Sequence, residues 1–425
     1  MLGLRENPPH TLRAFVQSSC LSLEEHEVTQ RILRMADAQN VKAVIVGGAV
    51  RDWLLGLPVT DIDISVEGDG IEFARALVAA HGGKLIAHEK FQTATWHVDG
   101  LDIDVTTART ETYDYPAVLP RVRSSTQIAD LSRRDFTINA LALQVGEHWL
   151  GRDALLDPHG GLADLERGTL RAFHAQSFVD DPTRIFRAAR YAARFGFALE
   201  PDTREWLRRG LPYLRDLSGE RVKYDMELIF AEREPEKALA YLAGWDVFRS
   251  FNIPIPEMAQ LAERFERVRQ ALPAEVSAAQ AGWGAFMYHA GQLAASRWLG
   301  LIPFEVNTRD ALLDIGPIST LSAALFSADV KPSARHRLLE NFGAAGLALA
   351  WLFEKQPAKR ESLWRELREW RAIHPRATGD DLRALGLPPG PSYAKILRRL
   401  QDAWLDGEIQ NDEDERRLLA LSAEL

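Results

Sequence analysis

The first third of the chain switches between two hydrophobic periods. Residues 42–46 (KAVIV) form a short apolar run that reads as a buried strand, and Gly47-Gly48 stops it. AVRDWLLGL then continues at helical spacing and ends near Gly56. In DIDISV (61–66) acids and aliphatic residues alternate, which is the two-residue period of a strand. IEFARALVAA (71–80) returns to helical spacing, and Gly82-Gly83 closes it. KLIAH, TATWHV and LDIDVTT predict three further strands, so this part should be a small mixed sheet covered by helices.

Beyond residue 150 the strand signal fades. DPTRIFRAARYAARFG, DTREWLRRGLPYLRDL and ERVKYDMELIFAE each place apolar residues three and four apart, and the rest reads as helices joined by short Pro/Gly breaks. Joints are expected near Gly151, near Gly244 and within His374–Asp380, dividing the chain into 1–150, 151–243, 244–373 and 374–425. Repeats and low-complexity tracts are absent from the sequence. The fold class is therefore α+β: a mixed-sheet head followed by a mostly α-helical neck, body and tail.

Composition narrows the class without adding a fold. At 425 residues the chain exceeds what one core usually organises. A formal charge of −9 argues against general coating of nucleic acid, yet leaves room for a local basic groove. The single cysteine, Cys20, excludes an intramolecular disulfide framework and suits a reducing cytoplasm. The sequence has no stretch of about 18 apolar residues to span a membrane. Its first ten residues, MLGLRENPPH, lack the layout of a secretory signal.

The sharpest chemistry lies in GGAVRDWLLG (47–56) followed by Asp61 and Asp63. Two aspartates two apart on a strand face the same way and can converge on hard cations. A metal pair about 3.5–4 Å apart activates a hydroxyl and steadies a leaving phosphate. The diglycine lets backbone approach a triphosphate, and Arg51 is placed to donate to phosphate oxygens. Alone, either element has a plainer reading as solvated charge or a simple turn; together they point to nucleotide chemistry. RRDFTINAL (133–141) reads as a charge cluster and N-cap opening an apolar helix.

In DDPTRIFRAARYAARFGF (180–197), Pro182 suits the first helical position with Asp181 as N-cap. Asp181 and Arg184 are then about one turn apart. A carboxylate accepts from the exocyclic amine of cytosine or adenine while arginine donates to a ring acceptor, a pairing that rejects uracil and guanine. The plainer alternative is a cap with an ordinary ion pair. Arg187 and Arg190 continue along this helix toward phosphate or toward surface ion pairs. The polar, proline-punctuated stretch 109–131 reads as a long loop, functional or disordered. Near the end, Lys395, Arg398 and Arg399 follow a PPGP turn and form either an RNA backbone clamp or a solvated helix face. The histidines show no metal-ligand spacing, and the tryptophans are scattered as core residues are.

Residues 40–230 resemble the DNA polymerase β-like nucleotidyltransferases. Within that superfamily GGxVRDxLLG…DxD resembles the bacterial class II tRNA nucleotidyltransferases (CCA-adding enzymes) and their poly(A) polymerase relatives. The resemblance implies that Asp61 and Asp63 bind Mg2+ and that Gly47, Gly48 and Arg51 hold the triphosphate. It also implies a third carboxylate from an adjacent strand, for which Asp104 is the candidate and Asp102 the fallback. Arg134 and Asp135 would meet the ribose with Asn139 supporting them, and Asp181 and Arg184 would read the base. Asp180 stands where many members have glutamate. LLDPHGGLADLERGTLR (155–171) resembles the family's linker, and ERVKYDMEL (220–228) its next helix, in which Glu220, Arg221 and Glu227 are read as structural. The 109–131 loop would help the site pass from cytidine to adenosine. The implied activity is transfer of CMP and AMP from CTP and ATP to the tRNA 3′ end, in the cytoplasm, with no obligate protein partner. The alternatives are an enzyme adding only the terminal A, a poly(A) polymerase, and an inactive RNA-binding protein.

Overall fold

The computed structural model describes residues 23–59, 61–89, 92–145, 155–254, 257–288 and 291–423. Cys20, the amino-terminal ten residues and the expected joint at Gly151 lie outside the described residues. The chain divides into two compact units, Met1–Arg221 with Lys237–Phe251, and Val222–Glu236 with Asn252–Leu425.

The first unit is built on a seven-stranded sheet in the order β3-β4-β5-β2-β1-β8-β9. Its strands are β1 (Lys42–Val46), β2 (Ile62–Glu67), β3 (Lys84–His88), β4 (Thr93–Val98), β5 (Leu101–Thr107), β8 (Ala142–Val145) and β9 (Leu155–Leu156). A two-stranded hairpin, β6 (Arg109–Thr112) with β7 (Arg121–Ser124), stands apart from it. In the main sheet β2 and β5 pair in parallel and every other neighbouring pair is antiparallel.

Alternation along β2 explains its two faces. Ile62, Ile64 and Val66 are buried and share their side with Ile103 and Val105 of β5, their register partners or neighbours. The helix Gly70–His81 covers these strands, and Asp69 caps it by accepting from Ile71 N and Glu72 N. Trp96 Nε1 donates to Gly82 O (2.9 Å), which ties the end of that helix to β4. The intervening residues Asp63, Ser65 and Glu67 point the other way, as the two-residue period requires. There Glu67 accepts from Gln127 N (2.9 Å) and Ser65 Oγ donates to Oδ2 of the buried Asp130 (3.4 Å), both partners lying on the helix Gln127–Ser132.

Two expectations change. RRDFTINAL does not open a helix: Thr137–Asn139 is a single 3-10 turn, after which Ala142–Val145 pairs antiparallel with β1. Sheet pairing and burial among Val44, Val46, Leu131 and Ala140 override the helical reading of that apolar run. The stretch 109–131 is no open loop either, since it contains the β6–β7 hairpin and the Gln127–Ser132 helix.

The second unit is helical among its described residues. Ile318, Phe326, Leu339, Leu347 and Leu363 make one core cluster, while Leu382, Leu400, Ala403, Ile409 and Leu419 make another nearer the carboxyl end. Trp283 is buried against Phe230, Trp298 and Phe304 and donates to Glu227 (3.0 Å), the structural part expected of that acid. No described helix is long and apolar enough to cross a membrane.

The segment 155–171 earns its glycines by close packing. A Cβ on Gly161 would lie 2.2 Å from Thr137 O, and Thr137 Oγ1 donates to Asp164 Oδ2 (2.7 Å) in the same contact. Gly161→Ala must push the Thr137 turn away, so we expect a loss of about 1–3 kcal/mol in urea denaturation. An unchanged midpoint would show that the turn moves freely.

Candidate active site

The register places the acids. On the parallel pair, Asp63 of β2 stands directly opposite Asp104 of β5, on strands about 4.8 Å apart. Across β4, Thr95 is the partner of Asp104 and donates to its Oδ1 (2.7 Å). Asp102 shares the facing of Asp104 but stands opposite His97, with which it forms an ion pair. Asp61 precedes the strand, which begins at Ile62, and is exposed.

Crowding has a direct electrostatic consequence. Burial, with the like charges of Asp104 and Asp61, pushes the Asp63 carboxyl up to about 6 despite the lowering influence of Arg134. Gly47 closes the other side of this acid. Its φ is +73°, and a Cβ there would lie 2.6 Å from Arg134 Nη1 and 3.6 Å from Asp63 Oδ2. Only glycine tolerates both the left-handed backbone and the approach. Gly48 follows as the first residue of the helix Gly48–Leu54.

The arginines differ in how committed they are. Arg51, expected at the triphosphate, is 4% exposed. It donates to both Asp52 oxygens (2.8 Å each) and to Asn139 Oδ1 (2.5 Å), and its guanidinium lies over the rings of Tyr191 and Phe195. Arg51 therefore braces the diglycine turn from inside. Arg134 is less engaged: Nη2 reaches Asp130 at 3.4 Å, while the buried Nε has no partner among the described residues. It is the half-buried guanidinium beside Gly47 and Asp63.

Asp135 is buried and fully employed. Its Oδ1 accepts from Phe136 N and from Asn139 Nδ2 (2.8 Å each), and its Oδ2 from Arg187 Nε (2.6 Å). Burial alone would raise its pKa, but Arg187, Asn139 and Arg184 outweigh that and hold it at about 2. Arg187 also reaches Tyr191 OH (3.2 Å), so its expected phosphate contact gives way to a link between Asp135 and its own helix. Arg190 is half-buried on the same helix.

Asp181 and Arg184, expected to read the base, lie at the start of a helix whose details differ from the expectation. Its helix runs Thr183–Phe195, one residue later than expected, and Asp181 Oδ1 accepts from Thr183 N (3.1 Å) and Thr183 Oγ1 (2.6 Å). Arg221 Nη2 donates to the same oxygen (2.6 Å), which leaves Asp181 Oδ2 without a partner among the described residues. Arg184 is 6% exposed, with Nη1 on Ser177 Oγ (3.1 Å) and Nη2 on Arg133 O (2.9 Å). These bonds engage two of its five N–H groups.

Sequence reasoning passed over Asp130, Glu111 and Thr95. Asp130 is 1% exposed and accepts from Arg133 Nε (2.9 Å), Arg134 and Arg109 N (3.2 Å). Glu111 accepts from Arg133 Nη1 (2.8 Å) and Tyr113 OH (3.2 Å). Asp130 was findable, since it precedes Arg133 and Arg134 by three and four residues on one helix face. In the second unit Arg398 pairs with Glu340, Arg399 pairs with Glu408 (2.5 Å each), and Lys395 is exposed. The two arginines are thus held by internal acids.

The raised Asp63 yields a stability test. Between its ordinary 3.8 and about 6, the folded chain holds that proton more tightly than the unfolded chain does. Stability without divalent ions therefore falls as pH rises through that window. Asp63→Asn should melt higher than the parent at about pH 7.5 and converge with it below about pH 4. A variant less stable than the parent at the higher pH would contradict the crowding.

Residues 43–171 match the family model described as the poly A polymerase head domain. The chain is 33% identical over 407 residues to the A-adding tRNA nucleotidyltransferase of Geobacter sulfurreducens, covering 91% of this chain but 46% of that protein, so it spans less than half the relative's length. It is 30% identical over 403 residues to the A-adding tRNA nucleotidyltransferase of Halalkalibacterium halodurans, covering 93% of this chain and 92% of that one. The solved Thermotoga maritima CCA-adding enzyme complexed with tRNA superposes with a TM-score of 0.72 at 27% identity, covering 97% and 98% of the two chains. With the carboxylate pair, the diglycine turn and near-full-length similarity in agreement, the chain belongs to the tRNA nucleotidyltransferase family.

Proposed function

We propose that the protein transfers AMP from ATP to the 3′ end of tRNA, as an enzyme that adds the terminal A. The observation that carries the chemistry is the Asp63–Asp104 pair beside Gly47 and Arg134. The choice of A rests on the two A-adding relatives, which narrows the expectation of both CMP and AMP. Complete CCA addition is the second reading, favoured by the likeness to the Thermotoga enzyme.

Asp61, Asp63 and Asp104 would hold the divalent cation, for which Mg2+ is the candidate. The raised proton affinity of Asp63 marks a site short of positive charge, which fits such an ion. Among the described residues no group of three or more His, Cys, Asp or Glu is arranged to hold a metal by itself. Substrate phosphate oxygens would therefore have to complete the shell around the ion. When bound, the ion supplies neutralisation of the triphosphate and a lowered pKa for the RNA 3′-hydroxyl.

The chain's own groups do the rest of the positioning. Gly47 admits the triphosphate close to backbone, and Arg134, whose Nη1 lies beside Gly47, would donate to phosphate or ribose oxygen. Asp181 Oδ2 accepts from the adenine exocyclic amine while Arg184 Nε donates to a ring nitrogen. Arg187, Asn139 and Arg184 keep Asp135 ionised, Arg51 steadies Asn139, and Asp135 would lie beside the sugar. No side-chain nucleophile is required, because the RNA 3′-hydroxyl attacks the α-phosphate of ATP directly, the α–β phosphoanhydride bond breaks and pyrophosphate leaves.

Purified protein with Mg2+ should extend a tRNA ending in CC by one A and leave tRNAs ending before CC unextended. Growth of all three ends to CCA would establish the second reading, and long A ladders would contradict both. Asp181→Ala should lower kcat/KM for ATP by about 10- to 100-fold and erode its advantage over GTP and UTP. Unchanged discrimination would remove Asp181 from base reading.

A further inference from the structure

The connection between β6 and β7 is fastened at its middle. Ala117 N donates to Asp180 O (3.2 Å), and Arg221 Nη1 donates to Ala117 O (2.6 Å). The other end of that guanidinium holds Asp181 Oδ1 (2.6 Å). Ala117 is 7% exposed, with φ +60°. Two residues away on either side of this buried anchor, Tyr115 and Leu119 are 73% and 57% exposed. Two residues of chain reach at most about 7 Å. Both exposed residues therefore lie within about 7 Å along the chain of the anchor that Arg221 ties to Asp181.

The charge around them favours one occupant. Arg121 and Arg123, on the strand leaving the connection, are exposed, and Arg121 is steadied by Asp114 (2.6 Å). A large aromatic face and an aliphatic side chain next to exposed guanidinium groups suit unpaired RNA, in which stackable bases alternate with phosphates. A growing strand must set its last base next to the incoming nucleotide. A support for that base belongs just outside the reader, where Tyr115 stands.

We propose that Tyr115 is a stacking platform for the terminal base of the RNA primer, with Leu119 beside it and Arg121 and Arg123 toward the phosphates. This deepens the function proposed above and rests on Asp181 as the reader of the incoming base. Tyr115 takes no part in bond making. Its contribution is to primer affinity and alignment, and stacking is indifferent to the phenolic hydroxyl.

The test compares the parent with Tyr115→Ala and Tyr115→Phe, on a tRNA ending in CC and on the same tRNA with 2-aminopurine as its last base. Tyr115→Ala should raise KM for the tRNA about tenfold, with kcat and KM for ATP within about twofold of the parent. Tyr115→Phe should match the parent. Binding should quench the 2-aminopurine in the parent and the Phe variant, and quench it much less in the Ala variant. Equal quenching and equal KM in the Ala variant would overturn the platform. So would a rise in KM for ATP alone, which would assign the connection to the nucleotide pocket. If the parent binds and quenches yet extends nothing, the proposed activity falls while the quenching contrast still decides the platform.

Discussion

The parallel pairing of β2 with β5 forces two carboxylates into adjacent positions, and much of the first unit can be understood as making that tolerable. A register shift of one residue would oppose Asp63 to an aliphatic neighbour and turn every side chain of the strand over. The observed register instead stacks Ile62, Ile64 and Val66 on the covered face and leaves the acids on the other. Burial first, and then the like charges of Asp104 and Asp61, raise the proton affinity of Asp63, whose pKa moves up to about 6. Thr95 and Arg134 relieve part of the crowding from either side. The remainder is a standing demand for positive charge, the physical precondition for binding a divalent cation with a triphosphate.

Around this pair, buried arginines are matched to particular acceptors. Asp52, Arg51, Asn139, Asp135, Arg187 and Tyr191 form one continuous chain of hydrogen bonds from the diglycine helix to the base-reading helix. A second group gathers Arg109, Arg133 and Arg134 on Asp130 and Glu111. Removing one member of such a group leaves a buried charge uncompensated, which costs more than the pair contributes when whole. These networks hold the glycine turn, Asp135 and the helix Thr183–Phe195 in fixed relation. Arg134 keeps a buried Nε without a partner among the described residues.

Much of this was legible in the sequence because it rests on local period. KAVIV, DIDISV, TATWHV and LDIDVTT are strands in the structure, and Gly47-Gly48 marks the turn before a helix. Strand order was not legible, since nothing local states that β5 returns beside β2; Asp104 could be preferred to Asp102 only through a family resemblance. The helical reading after RRDFT failed because LALQV finds its partner in β1, ninety-odd residues earlier. Arginine roles were the least legible. Arg51, Arg187, Arg398 and Arg399 looked ready for phosphate, yet each has an acid or amide partner whose proximity only the fold creates.

β2–β5 register, more than the local DxD spacing, sets which acid of β5 stands opposite Asp63. Asp104 and Asp102 have the same facing on one strand and differ only in what stands opposite, Asp63 for the first and His97 on β4 for the second. Single-turnover extension of a CC-ended tRNA with ATP and Mg2+ separates them, once each folded variant has the parent's melting profile. The account predicts that Asp104→Ala loses extension as completely as Asp63→Ala, while Asp102→Ala keeps it near the parent rate. Extension surviving in Asp104→Ala and lost in Asp102→Ala would contradict it.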